Sequence, residues 1–145
     1  MSKKKILILN GPNLNLLHKR DKKIYGNSSL ETIEKDCLKL GDELHINVEF
    51  RQTNSEGGMV EEIQQAIDKF DGIIINAAGY THTSVAIRDA LEIYHGPKIE
   101  LHISNIFKRE EFRQHSFLSS VVDSVISGLG VDGYTIALLA ISKMV

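Results

Sequence analysis

The fold is decided by the stretch Ile6-Leu7-Ile8-Leu9-Asn10-Gly11-Pro12-Asn13 near the start of the chain. Four consecutive apolar residues followed by Asn-Gly-Pro-Asn predict a strand that is buried on both faces and stops abruptly at a turn. Residues after such a turn lie at the carboxyl end of the strand, where open α/β sheets bind their ligands. The charged segment that follows carries Arg20 and Tyr25. We therefore expect a ligand site at this edge of the sheet, with Arg20 and Tyr25 in the loop that covers it.

The composition is that of an ordinary globular chain. The 145 residues carry a formal net charge of −2, and they lack the clustered basic excess of a nucleic-acid-binding protein. The apolar run after the initial lysines is broken at Asn10, too early for a signal peptide, and no stretch is long enough to span a membrane. The single cysteine, Cys37, excludes an internal disulfide. We expect one domain over residues 1–145, located in the cytoplasm, with no nucleic-acid or membrane partner.

Strand-like and helix-like segments alternate along the whole chain. Apolar or alternating runs predict strands, and each is followed by a segment with helical spacing of its apolar residues. The regular order with short connections predicts an α/β protein of flavodoxin-like type, a doubly wound five-stranded parallel sheet with helices on both faces. The predicted strands cover residues 6–9, 46–52, 73–75, 99–103 and 121–126.

Three local patterns give more detailed expectations. Ser28-Ser29-Leu30-Glu31 has the spacing of a capping box at a helix start. In the next helix the apolar spacing predicts that Ile67 and Phe70 face inward. A short helix is expected around residues 109–113, which would bring Arg109 and Arg113 onto one face.

The third and fourth predicted strands carry polar residues where buried strands are normally apolar. The third ends in Asn76, as the first ends in Asn10. In the fourth, Glu100 and His102 alternate with apolar residues and so share one face. Glu100 could then orient and charge the histidine at the open end of the sheet. An edge strand with one solvated face would explain the same pattern.

Other polar residues are weaker signals on their own. His82 lies just before a predicted helix, where a polar residue is welcome for structural reasons, and the positive helix end would keep its imidazole neutral. Arg109 and Arg113 are ordinarily solvated unless the ligand is a carboxylate or phosphate. The remaining histidines show no ligand-like spacing with acids or with the cysteine, so no metal site is expected.

Functions that this fold commonly carries can be weighed against these residues. A phosphorylated receiver domain needs acids where this chain has Asn10 and Asn76, so that function is excluded. A flavodoxin needs a hydroxyl-rich and glycine-rich phosphate loop, which residues 11–17 do not supply. A non-catalytic module that binds small carboxylates stays open.

Five segments carry a further pattern, and they are residues 9–17, Arg20 with Tyr25-Gly26, residues 76–84, residues 100–106 and residues 109–116. Together they resemble the type II 3-dehydroquinate dehydratases, or type II dehydroquinases. The resemblance extends in order over nearly the whole chain. It implies a hydro-lyase that converts 3-dehydroquinate to 3-dehydroshikimate through an enolate, without a cofactor, in a homododecamer built as a tetramer of trimers.

Matched position by position, the resemblance also implies roles for individual residues. Tyr25 would be the base, His102 the general acid with Glu100 beside it, and Arg20 the essential arginine of the loop. Because a tyrosine of pKa about 10 is protonated at neutral pH, Arg20 would have to favour the phenolate. Asn13 would help hold the water that stabilises the enolate. The substrate-binding positions would be Asn76, His82, Ile103, Ser104, Arg113 and, from a neighbouring subunit, Asp89.

Overall fold

The computed structural model describes residues 2–145, which form one parallel sheet of five strands with helices on both faces. The strand order is β2-β1-β3-β4-β5, which is the order of a flavodoxin-like doubly wound sheet. The predicted fold class is therefore confirmed. The strands are β1 (Lys4–Asn10), β2 (Ile46–Gln52), β3 (Gly72–Asn76), β4 (Lys98–His102) and β5 (Ser124–Ser127).

Two apolar cores lie on the two faces of the sheet, and successive residues of β1 divide between them. Ile6 and Ile8 pack in the core that includes α2 and α5, whereas Leu7 and Leu9 pack in the core that includes α3 and α4. No helix among residues 2–145 combines the length and the apolar character needed to cross a bilayer. The helices are α1 (Lys22–Tyr25), α2 (Leu30–Glu43), α3 (Glu56–Ala66), α4 (Val85–Ile93) and α5 (Asp132–Ser142).

The structure corrects two of the predicted helix boundaries. The capping residue of α2 is Ser29 rather than Ser28, and its Oγ accepts a hydrogen bond of 3.2 Å from the backbone N–H of Thr32. The prediction that Ile67 faces inward is wrong, since α3 ends at Ala66 and Ile67 is 39% exposed. Phe70 is buried as expected, but the chain reaches it after the helix has ended.

The segment between β4 and β5 is less regular than predicted. Instead of one helix around residues 109–113, it contains short 3₁₀ turns at Ile106–Lys108 and Glu111–Gln114, with Arg109 between them in an extended conformation. The two arginines therefore do not share a helix face. A third 3₁₀ turn lies at Ser119–Val121. β5 therefore begins at Ser124, and the predicted start at residue 121 was too early.

The polar strand ends meet at one edge of the sheet. Asn10 and Asn76 are in register on the neighbouring strands β1 and β3. β4 lies between β3 and β5, and both Glu100 and His102 are buried, so the alternative of a solvated edge strand is wrong. The topology thus collects these four side chains at the carboxyl edge.

Candidate active site

A cavity of about 120 Å³ opens at the carboxyl ends of β1, β3 and β4. Glu100 lies beneath it, in contact with His102. Asp89 does not line it, because it lies exposed on α4 and pairs with Arg88 at 3.1 Å. The other predicted site residues all line this cavity: Asn13, Arg20, Tyr25, Asn76, His82, His102, Ile103, Ser104 and Arg113.

The Glu100 carboxylate is held by three hydrogen bonds. His102 Nε2 lies 2.5 Å from Oε2, and the hydroxyls of Ser116 and Ser119 donate to Oε2 at 2.9 Å and to Oε1 at 2.8 Å. Burial would raise the pKa of Glu100, but the hydrogen bond and charge of His102 and the two serine hydroxyls outweigh it, so the pKa lies below its usual value. An ionised Glu100 accepts the Nε2 proton of His102, which fixes the ring and leaves Nδ1 free for a ligand.

The Tyr25 hydroxyl on the other side of the cavity has two arginine partners. Arg20 Nη2 and Arg109 Nη1 both donate to the phenolic oxygen at 2.7 Å. The guanidinium carbon of Arg20 also lies 4.1 Å from the centre of the ring. Two charged hydrogen bonds thus fix the position of the phenolic oxygen at the cavity.

Arg109 is a site residue for which the sequence predicted a role only if the ligand is a carboxylate or phosphate. It lines the cavity, and besides Tyr25 it donates to Ser104 Oγ at 3.3 Å. Its partner Tyr25 lies 84 positions earlier in the chain, so no local spacing could reveal the contact. The available signal was its position after the polar strand β4, which places it near the carboxyl edge of the sheet.

His82 is held as a neutral hydrogen-bonding group. Its Nδ1 lies 2.8 Å from the backbone carbonyl of His115, and because a carbonyl can only accept, Nδ1 carries the proton. Burial, with help from the charges of His102 and Arg113, lowers the pKa of His82. The direction is the one expected from the sequence, but the main cause is burial rather than a helix end, since α4 begins only at Val85. The lone pair of Nε2 is left to accept a hydrogen bond.

The remaining polar positions lie in the loops above the strands. Asn13 adopts the left-handed conformation, with φ of 70°, which asparagine tolerates better than most residues, and its backbone N–H donates to Asn54 Oδ1 at 3.0 Å. Arg113 also lines the cavity, and its Nε donates to Glu110 Oε2 at 3.0 Å. The cavity is therefore small and polar, and its side chains include guanidinium, imidazole and amide groups. This set of groups suits a ligand that carries a carboxylate and hydroxyl groups.

Comparison with known proteins agrees with this geometry. Residues 4–142 match the family model described as dehydroquinase class II. The chain is 53% identical to a 3-dehydroquinate dehydratase of Bartonella tribocorum, over 95% of this chain and 93% of that protein. It is 51% identical to one of Acaryochloris marina, over 97% and 95% respectively.

Solved structures give the same result. The type II dehydroquinase of Butyrivibrio crossotus superimposes with a TM-score of 0.94 at 45% identity, covering 97% of this chain and 99% of that one. A 3-dehydroquinate dehydratase-like protein of Bifidobacterium longum superimposes with a TM-score of 0.73 at 31% identity, covering 97% of each chain. On the family model, the curated relatives and the solved structures alike, the chain belongs to the class II dehydroquinase family.

Proposed function

We propose that the cavity is where this hydro-lyase removes water from 3-dehydroquinate to form 3-dehydroshikimate, with Tyr25 as the base and His102 as the acid. The curated relatives are named for the same activity, which fits a step of the shikimate pathway that leads to aromatic amino acids. The observation that carries the assignment is that Tyr25, held by two guanidinium groups, and His102, held by a carboxylate, line the same cavity.

The first step is removal of a proton from the carbon next to the substrate ketone. The phenolic oxygen of Tyr25 accepts hydrogen bonds from Arg20 and Arg109, which would hold it in place to take this proton. A base positioned in this way typically contributes 10²-fold to 10⁴-fold to the rate. Arg20 and Tyr25 both line the cavity, and the segment that carries them would help to exclude water.

The second step is loss of the hydroxyl group from the enolate. A water held by Asn13 would stabilise the enolate oxygen electrostatically. His102 would give its proton to the departing hydroxyl, and the Glu100 carboxylate supports the positive charge on the ring before that transfer.

Substrate binding follows from the remaining groups. We assign the substrate carboxylate to the backbone and side chain of Ile103 and Ser104, where the guanidinium of Arg109 lies 3.3 Å from Ser104 Oγ. Asn76, His82 and Arg113 would bind hydroxyl groups. A positive charge beside the carboxylate position supports this orientation.

We further propose that the working form is a homododecamer, a tetramer of trimers, in which Asp89 reaches the cavity of a neighbouring subunit. The exposed position of Asp89 on α4, outside its own cavity, supports this role. A cytoplasmic location and one catalytic domain over residues 1–145 stay predictions from the sequence. Because the curated relatives are enzymes, a non-catalytic carboxylate-binding module is no longer favoured.

The two steps can be separated by exchange in deuterated water. Tyr25→Phe keeps the ring but deletes the base, so both product formation and exchange of the C2 hydrogen of 3-dehydroquinate should stop. His102→Ala should slow elimination by about 10²-fold to 10⁴-fold, yet it should still allow detectable exchange. Product is followed by ultraviolet absorbance of the conjugated enone, and exchange by mass spectrometry of recovered substrate. Near-normal turnover in Tyr25→Phe would show that another group is the base.

A further inference from the structure

A buried chain of hydrogen bonds links the cavity to the interior of the protein. It joins two asparagine side chains at the ends of β1 and β3 through the hydroxyl of Tyr134 on α5. Asn10 Nδ2 donates to the carbonyl of Arg51 at 3.0 Å, and Tyr134 Oη donates to Asn10 Oδ1 at 2.7 Å. Asn76 Nδ2 donates to Tyr134 Oη at 2.9 Å, and the N–H of Ala78 donates to Asn76 Oδ1 at 3.2 Å.

The direction of every bond in this chain is set by its two backbone ends. The carbonyl of Arg51 can only accept, so the amino group of Asn10 faces it and the Asn10 oxygen faces Tyr134. The hydroxyl of Tyr134 must then donate to Asn10, and its oxygen accepts from Asn76. The N–H of Ala78 can only donate, which is consistent with the Asn76 oxygen facing it.

Only one of the three linked side chains reaches the cavity. Asn10 and Tyr134 are both fully buried, whereas Asn76 lines the cavity. After the bonds to Tyr134 and Ala78, the Asn76 amide keeps one N–H hydrogen and one oxygen lone pair. A donor and an acceptor side by side match a hydroxyl group, which both donates and accepts.

We propose that Tyr134 is a positioning residue for substrate binding, which acts by holding the Asn76 amide in the orientation that binds a substrate hydroxyl. The proposal rests on the substrate-binding role given to Asn76 above. Tyr134 contacts neither the cavity nor the reacting groups, and it reaches Asn76 from the core between the sheet and α5. Burial raises the pKa of Tyr134, so the hydroxyl stays protonated and able to donate.

The backbone at Asn76 is fixed independently of Tyr134. The N–H of Gly11 donates to the carbonyl of Asn76 at 2.8 Å. Gly11 also lies so close to the next turn that a Cβ there would come within 2.5 Å of the Ala77 carbonyl oxygen. Loss of the Tyr134 hydroxyl should therefore release the Asn76 side chain without moving the turn that carries it.

The test is the KM for 3-dehydroquinate in Tyr134→Phe, with Tyr94→Phe as the matched control. Tyr94 is equally buried and donates to the carbonyl of Phe70 at 2.7 Å, but it lies in the core on the opposite face of the sheet. Both substitutions delete one buried hydroxyl, so both should lower stability. Only Tyr134→Phe should raise KM, by about tenfold, with kcat changed by less than about twofold. An equal change of KM in the two variants would overturn the proposal.

A second comparison tests whether the effect passes through Asn76. In an Asn76→Ala background, Tyr134→Phe should change KM by less than about twofold, because the group that it positions is gone. If Tyr134→Phe raised KM tenfold in the Asn76→Ala background as well as in the wild type, the proposal would be overturned. If Asn76→Ala itself left KM unchanged, the substrate-binding role of Asn76 would fail. If KM rose in Asn76→Ala but not in Tyr134→Phe, only the positioning role of Tyr134 would be overturned.

Should Tyr134→Phe fail to fold, Asn10→Ala gives an independent test. This substitution removes the acceptor of the Tyr134 hydroxyl but leaves its oxygen able to accept from Asn76. The Asn76 amide is then held less firmly, and KM should rise by a smaller factor, about threefold. An unchanged KM in a folded Asn10→Ala variant would also overturn the proposal.

Discussion

The two sides of the cavity are built in different ways. His102 lies on β4 between two other strands, and its carboxylate partner is held by further hydroxyl groups. Tyr25 lies at the end of α1, a single turn of helix in an irregular segment, and its hydroxyl is held by Arg20 and Arg109. His102 is thus fixed by the sheet itself, whereas Tyr25 depends on two long side chains.

This difference indicates how each side should respond to substitution. The backbone of His102 is held by its pairing with Ser127 of β5, so the side-chain partners of His102 mainly tune its charge. A residue in an irregular segment needs its partners for both position and charge. Loss of a partner should therefore cost more on the Tyr25 side than on the His102 side.

Among the residues that hold Tyr25 or His102 in place, the arginines beside Tyr25 should have the largest effect when substituted. Arg109→Ala removes one cationic donor from the phenolic oxygen, and kcat should fall by about 10²-fold to 10³-fold. Exchange of the C2 hydrogen should fall by the same factor, because proton removal is the step affected. Arg109→Lys restores the charge without the planar fork of donors and should recover only part of the rate.

Arg51→Ala is the control for this variant, since Arg51 pairs with Glu49 and Glu62 outside the cavity. It should leave kcat within about twofold. Full exchange in Arg109→Ala alongside slow product formation would contradict the assignment, because the arginine would then act on the second step. Arg20→Ala can be tested by the same measurements of kcat and C2 exchange, with the same control.

The sequence predicted the His102 side of the cavity better than the Tyr25 side. Glu100 and His102 are two positions apart on one strand, so their common face follows from the two-residue period of a strand. The Tyr25 side depends on Arg109, which lies between two 3₁₀ turns whose bounds no periodicity reveals. Ser119, also outside the regular elements, was missed as a partner of Glu100 for the same reason.

The fold was predictable because its signals are local and repeated. Apolar strands alternate with amphipathic helices along the chain, and that alternation alone favours a parallel sheet with helices on both faces. Helix ends were harder, since adjacent serines at residues 28 and 29 both suit a capping position. In the structure Ser29 is the capping residue, and its hydroxyl also lies 3.0 Å from the hydroxyl of Thr32.

On the His102 side, Glu100→Gln should have an intermediate effect. It keeps the shape of the side chain but removes the negative charge beside His102, so kcat should fall by about tenfold to 10²-fold. KM should change little, because Glu100 lies beneath the cavity rather than in it.

The same variant tests the pH dependence of stability. The pKa of Glu100 in the folded protein is lower than in the unfolded chain, where it is near the usual 4.5. The resulting stabilisation is fully present above that value and is lost as the pH falls through the folded pKa. The difference in free energy of unfolding between wild type and Glu100→Gln should therefore shrink as the pH falls below 4.5, as measured by urea titration. A difference that stays constant over this range would contradict an ionised Glu100.

The smallest effect is expected from Ser119→Ala. The Ser119 hydroxyl donates to Glu100 Oε1 at 2.8 Å, while the other oxygen keeps its bonds to His102 and Ser116. The carboxylate therefore stays in place, and kcat should fall by about twofold to fivefold. The pKa of Glu100 should rise towards its ordinary value, because one hydrogen bond to the charged form is lost.

The neighbouring Ser120 provides the matched control, because it is exposed and donates no hydrogen bond to Glu100. Ser120→Ala should leave kcat and the pH dependence of unfolding unchanged. In Ser119→Ala the stability should be lost at a higher pH as the solution is acidified, because a Glu100 with a higher pKa is protonated at a higher pH. A loss of kcat in Ser119→Ala as large as in Arg109→Ala would contradict the comparison itself, because the His102 side would then depend on single contacts just as the Tyr25 side does.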